Sequence, residues 1–434
     1  MTYSETRLSQ GSPVPWPSHW RTVPLWSMYE RVKDVDHPDE NLLSVYREHG
    51  VVKREGRDDN FNKASLDRSI YQLVHPGWFA VNRMKAWQGS VGISSFRGIV
   101  SGHYICFRPT HDEDDRFLNW LLRSAPYTAE YASLSRGVRP NQVEIDNEWL
   151  RSLRIMLPPL EEQRRIADFL DAETARIDRL ITASHKQSDL IIERFTESLR
   201  VLTTTAGLDE VTATGISWMP EMASAWKLMK IGRCFTTSSG TTPRSSDVTY
   251  FDGPHFWVNT GDLRDGAIEQ PRKTVADAAL ADYPTLRIYA PGSLVVAMYG
   301  ATTGRVGILK VPACVNQACC VLSELGPLSS RYAFLWFRAH REEILKLASG
   351  GGQPNISQDL VRGLRIPAPS RHEQGEIVHQ ANSLESMSSR QQQFQMRRAE
   401  LLTERRQALI TAAVTGQFDV TTASGRNVTD GVTA

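Results

Sequence analysis

The sequence predicts an α/β (α+β) protein made of two tandem mixed α/β units, each followed by a long helix. Three observations carry that expectation: an ordered internal repeat with a period a little over 210 residues, short strands broken by turn residues inside each repeat, and a charged helical stretch with an apolar stripe closing each one. The repeat fixes the layout before any element is assigned. Gly89-Ser90-Val91-Gly92-Ile93 matches Gly304-Arg305-Val306-Gly307-Ile308, and Pro140-Asn141 matches Pro354-Asn355. Leu153-Arg154-Ile155 matches Leu364-Arg365-Ile366, while Pro158, Glu162, Gln163 and Ile166 match Pro369, Glu373, Gln374 and Ile377. The offset drifts from 215 through 214 to 211, as small loop insertions would make it do while the framework stays in register. The implied segments are residues 1–157, a helical spacer at 158–206, a second unit at 207–368, a second spacer at 369–416, and a C-terminal tail at 417–434.

Within the units, "GWFAVNRM" (77–84) and "GSLVVAMYG" (292–300) each follow a glycine turn with an apolar run of strand length. "DRFLNWLLRSA" and "SRYAFLWFRAHREEILKLA" have helical spacing, and "SSGTTPRSSD" and "LASGGGQPN" are loops by composition. The glycine-rich "GATTGRVG" and "ASGGGQ" do not end in the Lys-Ser/Thr of a triphosphate site. Trp16, Trp20, Trp218 and Trp226 mark the start of each unit and are expected to anchor cores rather than stack on bases.

The first spacer opens on "PPLEEQRRIADFLDAE", where two prolines stop the preceding segment and an acidic pair suits a helix N-terminus. Its apolar positions Ile166, Leu170, Ile177, Leu180, Ile181, Ile191, Phe195 and Leu202 form a heptad-like stripe, interrupted at Glu173, Ser184 and Gln187. The second spacer supplies Ile377, Leu384, Met387, Phe394, Leu401 and Leu409, and opens with a Ser370-x-x-Glu373 capping box. Gly207 and Gly416 are the matching stop signals. A helix of forty residues is about 60 Å long and needs a mate. Each can pack on its own unit or pair with the other; the width of the stripe favours pairing, with a further apolar edge left for another subunit.

Composition narrows the function. With 50 Lys and Arg against 49 Asp and Glu in 434 residues, the net charge is +1, so a nucleic-acid surface has to be a local concentration of cations. Five cysteines, with Cys319 and Cys320 adjacent, fit neither a disulfide framework nor a metal spacing and are expected to be buried thiols. His75 and His103 also lack ligand spacing. The first twenty residues hold no apolar targeting segment, and no apolar run approaches the roughly 20 residues that span a bilayer, so the expected location is cytoplasmic and away from membranes.

At "IMLPPLEEQRRIADFLDAETARIDRLI" (155–181) the chain resembles the specificity subunits of type I restriction-modification systems. The resemblance extends through "GTTPRSSDVTYFDGPHFWVNTGDLRDG" (240–266), "GSLVVAMYGATTGRVGIL" (292–309), "VNQACCVL" (315–322) and "SGGGQPNISQDLVRGLRIPAP" (349–369). It implies two target-recognition domains, each reading half of a bipartite double-stranded DNA site, joined by two helices that pair antiparallel as a coiled coil with pseudo-two-fold symmetry. It implies as partners two methylation subunits and up to two restriction subunits. No cofactor is expected on this chain; S-adenosylmethionine, ATP and Mg belong on those partners. The residues agree with a non-catalytic role, since "LPPL" is not the [DNS]-P-P-[YF] of an amine methyltransferase and no ATP loop is present. The first unit departs further from the family pattern: "VNRMKAWQGSVGI" (81–93) lacks the Met-Tyr-Gly-Ala of 298–301, and Ser101-Gly102 stands where Asn316-Gln317 stands in the repeat.

Base readout in the major groove calls for Arg or Lys on guanine and Asn or Gln on adenine, with phosphate contacts setting register. Polar residues at turns are therefore the candidates: Lys53, Arg54, Arg57, Asn60, Lys63, Arg83, Lys85, Arg136, Arg139, Asn141 and Gln142 in the first unit, and Thr242, Arg244, Tyr299, Thr303, Arg305 and Gln353 in the second. For each, the plainer alternative is a solvated surface charge or a turn-forming side chain. Two other functions stay open at this point: a specificity subunit serving a combined methyltransferase-nuclease, and a coiled-coil scaffold without a DNA role.

Overall fold

In the computed structural model, short apolar segments flanked by glycine turns build one main sheet in each of two units, with smaller sheets beside it, and the residues described are 3–6, 14–54, 67–137, 143–348 and 355–420. The chain divides into a first unit of residues 1–184 with 397–434 and a second of residues 185–396.

The first unit contains β1 (Arg21–Pro24), β2 (Tyr29–Val32), β3 (Leu43–Tyr46), β4 (Gly50–Lys53), β5 (Gln72–Val74), β6 (Phe79–Asn82), β7 (Val91–Ile93), β8 (Gly98–Val100) and β9 (Tyr104–Pro109). Then come α1 (Asp115–Leu122), α2 (Ala125–Leu134), β10 (Arg154–Leu157) and α3 (Leu160–Thr204). Its main sheet has the order β2-β9-β6-β7, antiparallel throughout. Phe79, Ala80 and Val81 are wholly buried in succession, as expected of a strand covered on both faces. One cover is α1, which Asp114 caps by accepting the Phe117 N–H at 2.9 Å, and which buries Phe117, Leu118, Leu121 and Leu122.

The second unit repeats the plan with β11 (Lys227–Lys230), β12 (Phe235–Ser239), β13 (Phe251–Val258), β14 (Gly266–Ile268), β15 (Leu294–Ala297), β16 (Val306–Leu309), β17 (Ala313–Val315) and β18 (Cys319–Glu324). It continues with α4 (Ser330–Ala339), β19 (Arg365–Ala368) and α5 (Arg371–Val414). The sheet order β12-β18-β15-β16 reproduces that of the first unit, with β14 added in parallel on β16. Both units close the same way: β10 pairs antiparallel with β1, and β19 with β11, each strand leading straight into a long helix.

Those helix starts are locked by the residues that repeat. Trp20 donates its indole N–H to Glu162 at 3.1 Å, and Trp226 donates to Glu373 at 3.0 Å. Gln163, fully buried, accepts the Asp114 N–H at 3.1 Å and donates to the Pro158 carbonyl at 2.9 Å. Gln374 accepts the Ser329 N–H at 2.8 Å and donates to the Pro369 and Pro327 carbonyls, both at 2.9 Å. Each amide thus ties the start of a long helix to the start of the short helix on its sheet. The Ser370–Glu373 capping box forms as its spacing predicts, with both reciprocal hydrogen bonds present.

The long helices have 45 and 44 residues, about 67 Å each at 1.5 Å per residue. In the first unit Ile166, Leu170 and Ile177 of α3 share a core with Leu409, Ile410 and Val414 of α5. Asp178 pairs with Arg406 at 2.9 Å, and Phe169 meets Phe418 beyond the end of α5 with ring centroids 5.3 Å apart, so these segments run antiparallel. In the second unit Leu199, Leu202 and Phe195 of α3 pack with Ile377, Ala381 and Leu384 of α5. Both packings weighed for the helices therefore occur, on the sheet domains and on each other. Leu180, Ile181 and Ile191 are half-buried. Met387, Phe394 and Leu401 are not pairing positions: they are 56 %, 65 % and 48 % exposed.

The helices stop where glycine was read. Gly207 and Gly416 have φ of +75° and +68°, the left-handed conformation that ends a helix, and a Cβ on Gly416 would lie 2.3 Å from Pro17 Cγ. Trp16, Trp20 and Trp226 are buried, with Trp218 packed at the edge of the second core. All five cysteines are free and buried, and burial pushes Cys106 and Cys320 up to about 12, which keeps those thiols protonated. Among the described residues, no helix is long and apolar enough to cross a membrane.

Candidate nucleic-acid interface

Turns at one end of each sheet collect the polar side chains. In the first unit the β3–β4 hairpin, the turn after β6 and the turn between β8 and β9 surround a cleft of about 950 Å³. Arg47 and Arg54 come from the hairpin, Asn82, Lys85 and Gln88 from the turn after β6, and Ser101, Gly102 and His103 from the third turn. Tyr46, Tyr71 and Tyr104 line it together with Leu43 and Val45, and no carboxylate is among the described residues that line it. The chain enters and leaves here through backbone hydrogen bonds: Arg54 N–H donates to Leu42 at 2.9 Å and Lys85 N–H to Asn82 at 3.1 Å. Burial raises the Tyr104 phenol, whose oxygen accepts the Val45 N–H at 3.4 Å, so the ring is a neutral wall.

The other candidates of this unit separate from that cleft. Lys53 lies over the Phe96 ring at 5.5 Å. Arg83 is paired with Glu144 at 2.5 Å, and Arg136 lies over Trp149 at 5.3 Å; both line a smaller cleft that also holds Asp146. Carboxylates there offset the cations, which makes it the weaker anion site. Arg57, Asn60, Lys63, Arg139, Asn141, Gln142 and Gln353 lie outside the described residues.

In the second unit the same sheet end carries Tyr299 in the turn after β15, and Asn316 and Gln317 between β17 and β18. The loop bearing Thr242 and Arg244 is pinned beside them. Thr241 N–H donates to Val315 at 3.1 Å, and a Cβ at Gly240 would lie 2.0 Å from the Val315 oxygen, so only glycine fits this approach. Thr242 and Arg244 are exposed, with the Arg244 N–H held by the Tyr283 hydroxyl at 3.0 Å. Tyr299 is half-buried; burial raises its phenol and the Gln317 amide opposes the shift. The Asn316 amide donates to Asn259 Oδ1 at 3.3 Å, and its own Oδ1 is buried without a partner among the described residues.

Thr303 differs from its expectation. It is 7 % exposed and its hydroxyl donates to the Gly300 carbonyl at 2.7 Å, so it shapes the turn that presents its exposed neighbour Arg305. Sequence reasoning also passed over Arg47, Asn82 and Gln88 in the first unit and Asn259, Asn316 and Gln317 in the second. The aligned pair Ser101-Gly102 and Asn316-Gln317 was the available signal, because a position that differs between repeats at the same turn is where two readers of different sequences diverge. A separate surface is apolar: Met387, Phe394 and Met396 on α5, and Leu190 and Ile192 on α3, are 41–65 % exposed.

Comparison with known proteins gives a consistent set. Residues 68–187 and 223–393 match the type I restriction modification DNA specificity domain. The type I restriction enzyme MjaVIII specificity subunit of Methanocaldococcus jannaschii is 22 % identical over 361 residues, 77 % of this chain and 78 % of that protein. The putative MjaX specificity subunit of the same organism is 21 % identical over 322 residues, 73 % and 72 % of the two chains. A chain from a structure on the complex assembly and conformational transition of the type I R-M system superposes with a TM-score of 0.71 at 16 % identity, covering 94 % of this chain and all of that one. The HsdS subunit from Thermoanaerobacter tengcongensis superposes with a TM-score of 0.54 at 18 % identity, covering 94 % and 99 %.

Proposed function

The chain belongs to the type I restriction-modification DNA specificity family, as a non-catalytic specificity subunit, and from that premise we propose that its two sheet-end turn clusters each read one half of a bipartite DNA sequence. The observation that carries this reading is the repetition of one sheet order, β2-β9-β6-β7 and β12-β18-β15-β16, with different polar side chains at equivalent turns. A common frame with divergent turns is what two readers of unlike half-sites need. Lys85, Arg54, Arg244 and Arg305 supply cations for phosphate or guanine, while Asn82, Gln88, Asn316 and Gln317 supply amides for adenine.

The partners are double-stranded DNA and the methylation and restriction subunits. The exposed apolar positions of α3 and α5 are the docking edge for the methylation subunits, and the paired helices set the distance between half-sites. The chain acts in the cytoplasm, where the DNA is. Mapping modified adenines in a host with and without this gene, its methylation partner present, tests the reading. A bipartite motif that appears only with the gene is the expected result. Modification independent of the gene would overturn it.

A further inference from the structure

Arg305 stands in the turn between β15 and β16, and its own backbone is bonded at both ends. Its N–H donates to the Thr302 carbonyl at 3.0 Å, and its carbonyl accepts the Ala297 N–H at 2.8 Å. The two neighbouring peptide groups are held from outside the turn. Arg341, which opens the short helix Arg341–Lys346 after α4, donates its Nε–H to the Gly304 carbonyl at 3.1 Å and a terminal N–H to Asp265 Oδ1. That same carboxylate oxygen accepts the Val306 N–H at 3.1 Å, and the Val306 carbonyl accepts the Asp265 N–H at 3.0 Å. Arg341 and Asp265 thus form one charge-assisted chain that grips the residue before Arg305 and the residue after it.

The grip belongs to this turn and not to its repeat. Gly304 has a φ of +78°, and a Cβ there would lie 3.1 Å from Arg341 Cγ, so glycine lets the arginine lie against the turn. At the matching Gly89 of the first unit the nearest side chain is Thr128, and the Val91 N–H bonds back to the Gly89 carbonyl. Between those two stands Ser90, 5 % exposed, where the second unit presents the exposed Arg305. Asp265 itself sits at a φ of +59°, a conformation that persists in a residue other than glycine where its surroundings impose it.

The geometry points to Arg341 and Asp265 as positioning residues for Arg305: the pair fixes the turn so that the Arg305 guanidinium meets a DNA phosphate in one orientation. The inference rests on the DNA reading above. A backbone held on both flanks has already lost the main-chain freedom that forming such a contact would otherwise cost.

The test measures binding of the complex with its methylation subunits to the mapped target as salt is varied. Arg341→Lys keeps the charge but loses the planar fork that reaches both acceptors. Asp265→Gly suits the positive φ and removes a negative charge, which by itself strengthens attraction to DNA. Each should instead weaken binding by roughly threefold to tenfold. Each should also reduce the slope of log K against log salt, by no more than the loss of about 1 that Arg305→Ala produces. Made in the Arg305→Ala chain, neither substitution should weaken binding further. Losses that persist in that chain would make the pair a general support of the fold and overturn the proposal. Tighter binding by Asp265→Gly, or an unchanged salt slope in Arg341→Lys, would overturn it as well. If Arg305→Ala leaves affinity and slope intact, Arg305 is no DNA contact and the proposal fails while the DNA reading stands. If the native complex does not bind the duplex specifically, the DNA reading itself falls.

Discussion

Replacing Gln374 by methionine removes three hydrogen bonds at nearly constant volume, and its effect can be worked from the contacts. The side chain is 1 % exposed, accepts the Ser329 N–H at 2.8 Å and donates to the Pro327 and Pro369 carbonyls at 2.9 Å. Each net hydrogen bond contributes about 1 kcal/mol, and each buried group left without a partner costs about 1–3 kcal/mol. Among the described residues the Ser329 N–H, at the cap of α4, donates to Gln374, and losing that acceptor is the larger cost because carbonyls tolerate partial loss, so the sum is about 3 kcal/mol. Gln374→Glu should be worse than methionine, because one carboxylate oxygen then faces two carbonyl oxygens. Amide exchange on the full chain with its partners resolves the two cores separately, which a single unfolding midpoint would not. A loss of 3 kcal/mol raises exchange through opening by about 100-fold in residues 329–339 and 365–381, with residues 115–122 and 154–170 unchanged. Gln163→Met should give the mirror image, since it holds Asp114 N–H and the Pro158 carbonyl in the first unit. An effect below about 1 kcal/mol, or equal softening of both units, would refute the claim that these amides lock the helix starts.

Three further outcomes follow from named contacts. His340, buried between Trp218 and Trp336, is held down to about 3 by burial and then by Arg200, so the folded chain keeps it neutral where the unfolded chain protonates. Its contribution is fully present above the unfolded value of about 6.5 and is lost as pH falls toward 3, with a slope of up to about 1.4 kcal/mol per pH unit; a urea midpoint followed by tryptophan fluorescence at pH 4–8 should show it, and His340→Phe should flatten it. Arg305→Ala should weaken binding across sequences and reduce the slope of log K against log salt by about 1, and an unchanged slope would remove it from the phosphate contacts. Inserting four residues after Ser184 in α3 and four after Met396 in α5 adds about 6 Å to each helix and should lengthen the unspecified gap by about one or two base pairs at 3.4 Å each, with both half-sites retained. Both insertions are needed because Asp178 and Arg406 fix the helices in register. An unaltered gap in active protein would argue that the helices do not measure it.

The helix stripe shows where a heptad rule carries information and where it drifts. Ile377 and Leu384 pack on the second core, but Met387 and Phe394 are 56 % and 65 % exposed although they continue the same spacing. An α-helix turns every 3.6 residues, so a strict seven-residue repeat rotates about 20° per heptad away from a fixed partner. Near residue 399 a different face is buried, with Ala399, Leu409 and Ala413 at 6 %, 1 % and 0 % exposure, and these belong to the first unit. Apolar residues that no longer meet their helical neighbour are left exposed, and they form the edge proposed above for the methylation subunits.

Residues that repeat were legible for a stricter reason. Glu162 and Glu373 each take one indole N–H, and Gln163 and Gln374 each tie two helix starts together, so neither residue type nor spacing can vary without leaving a buried group unpaired. The turns obey no such constraint. Their backbones are fixed by local bonds, as Thr303 fixes the turn before Arg305, while side chains beside them point into open space. Arg47 and Gln88 lie far apart in sequence and meet only because β3, β4 and β6 bring their turns to one cleft. That separation of duties has a functional consequence. On the proposed reading, substitution at Lys85, Gln88 or Gln317 would change recognition without disturbing the Trp–Glu and Gln locks, so a new DNA target would leave the helix starts unaltered.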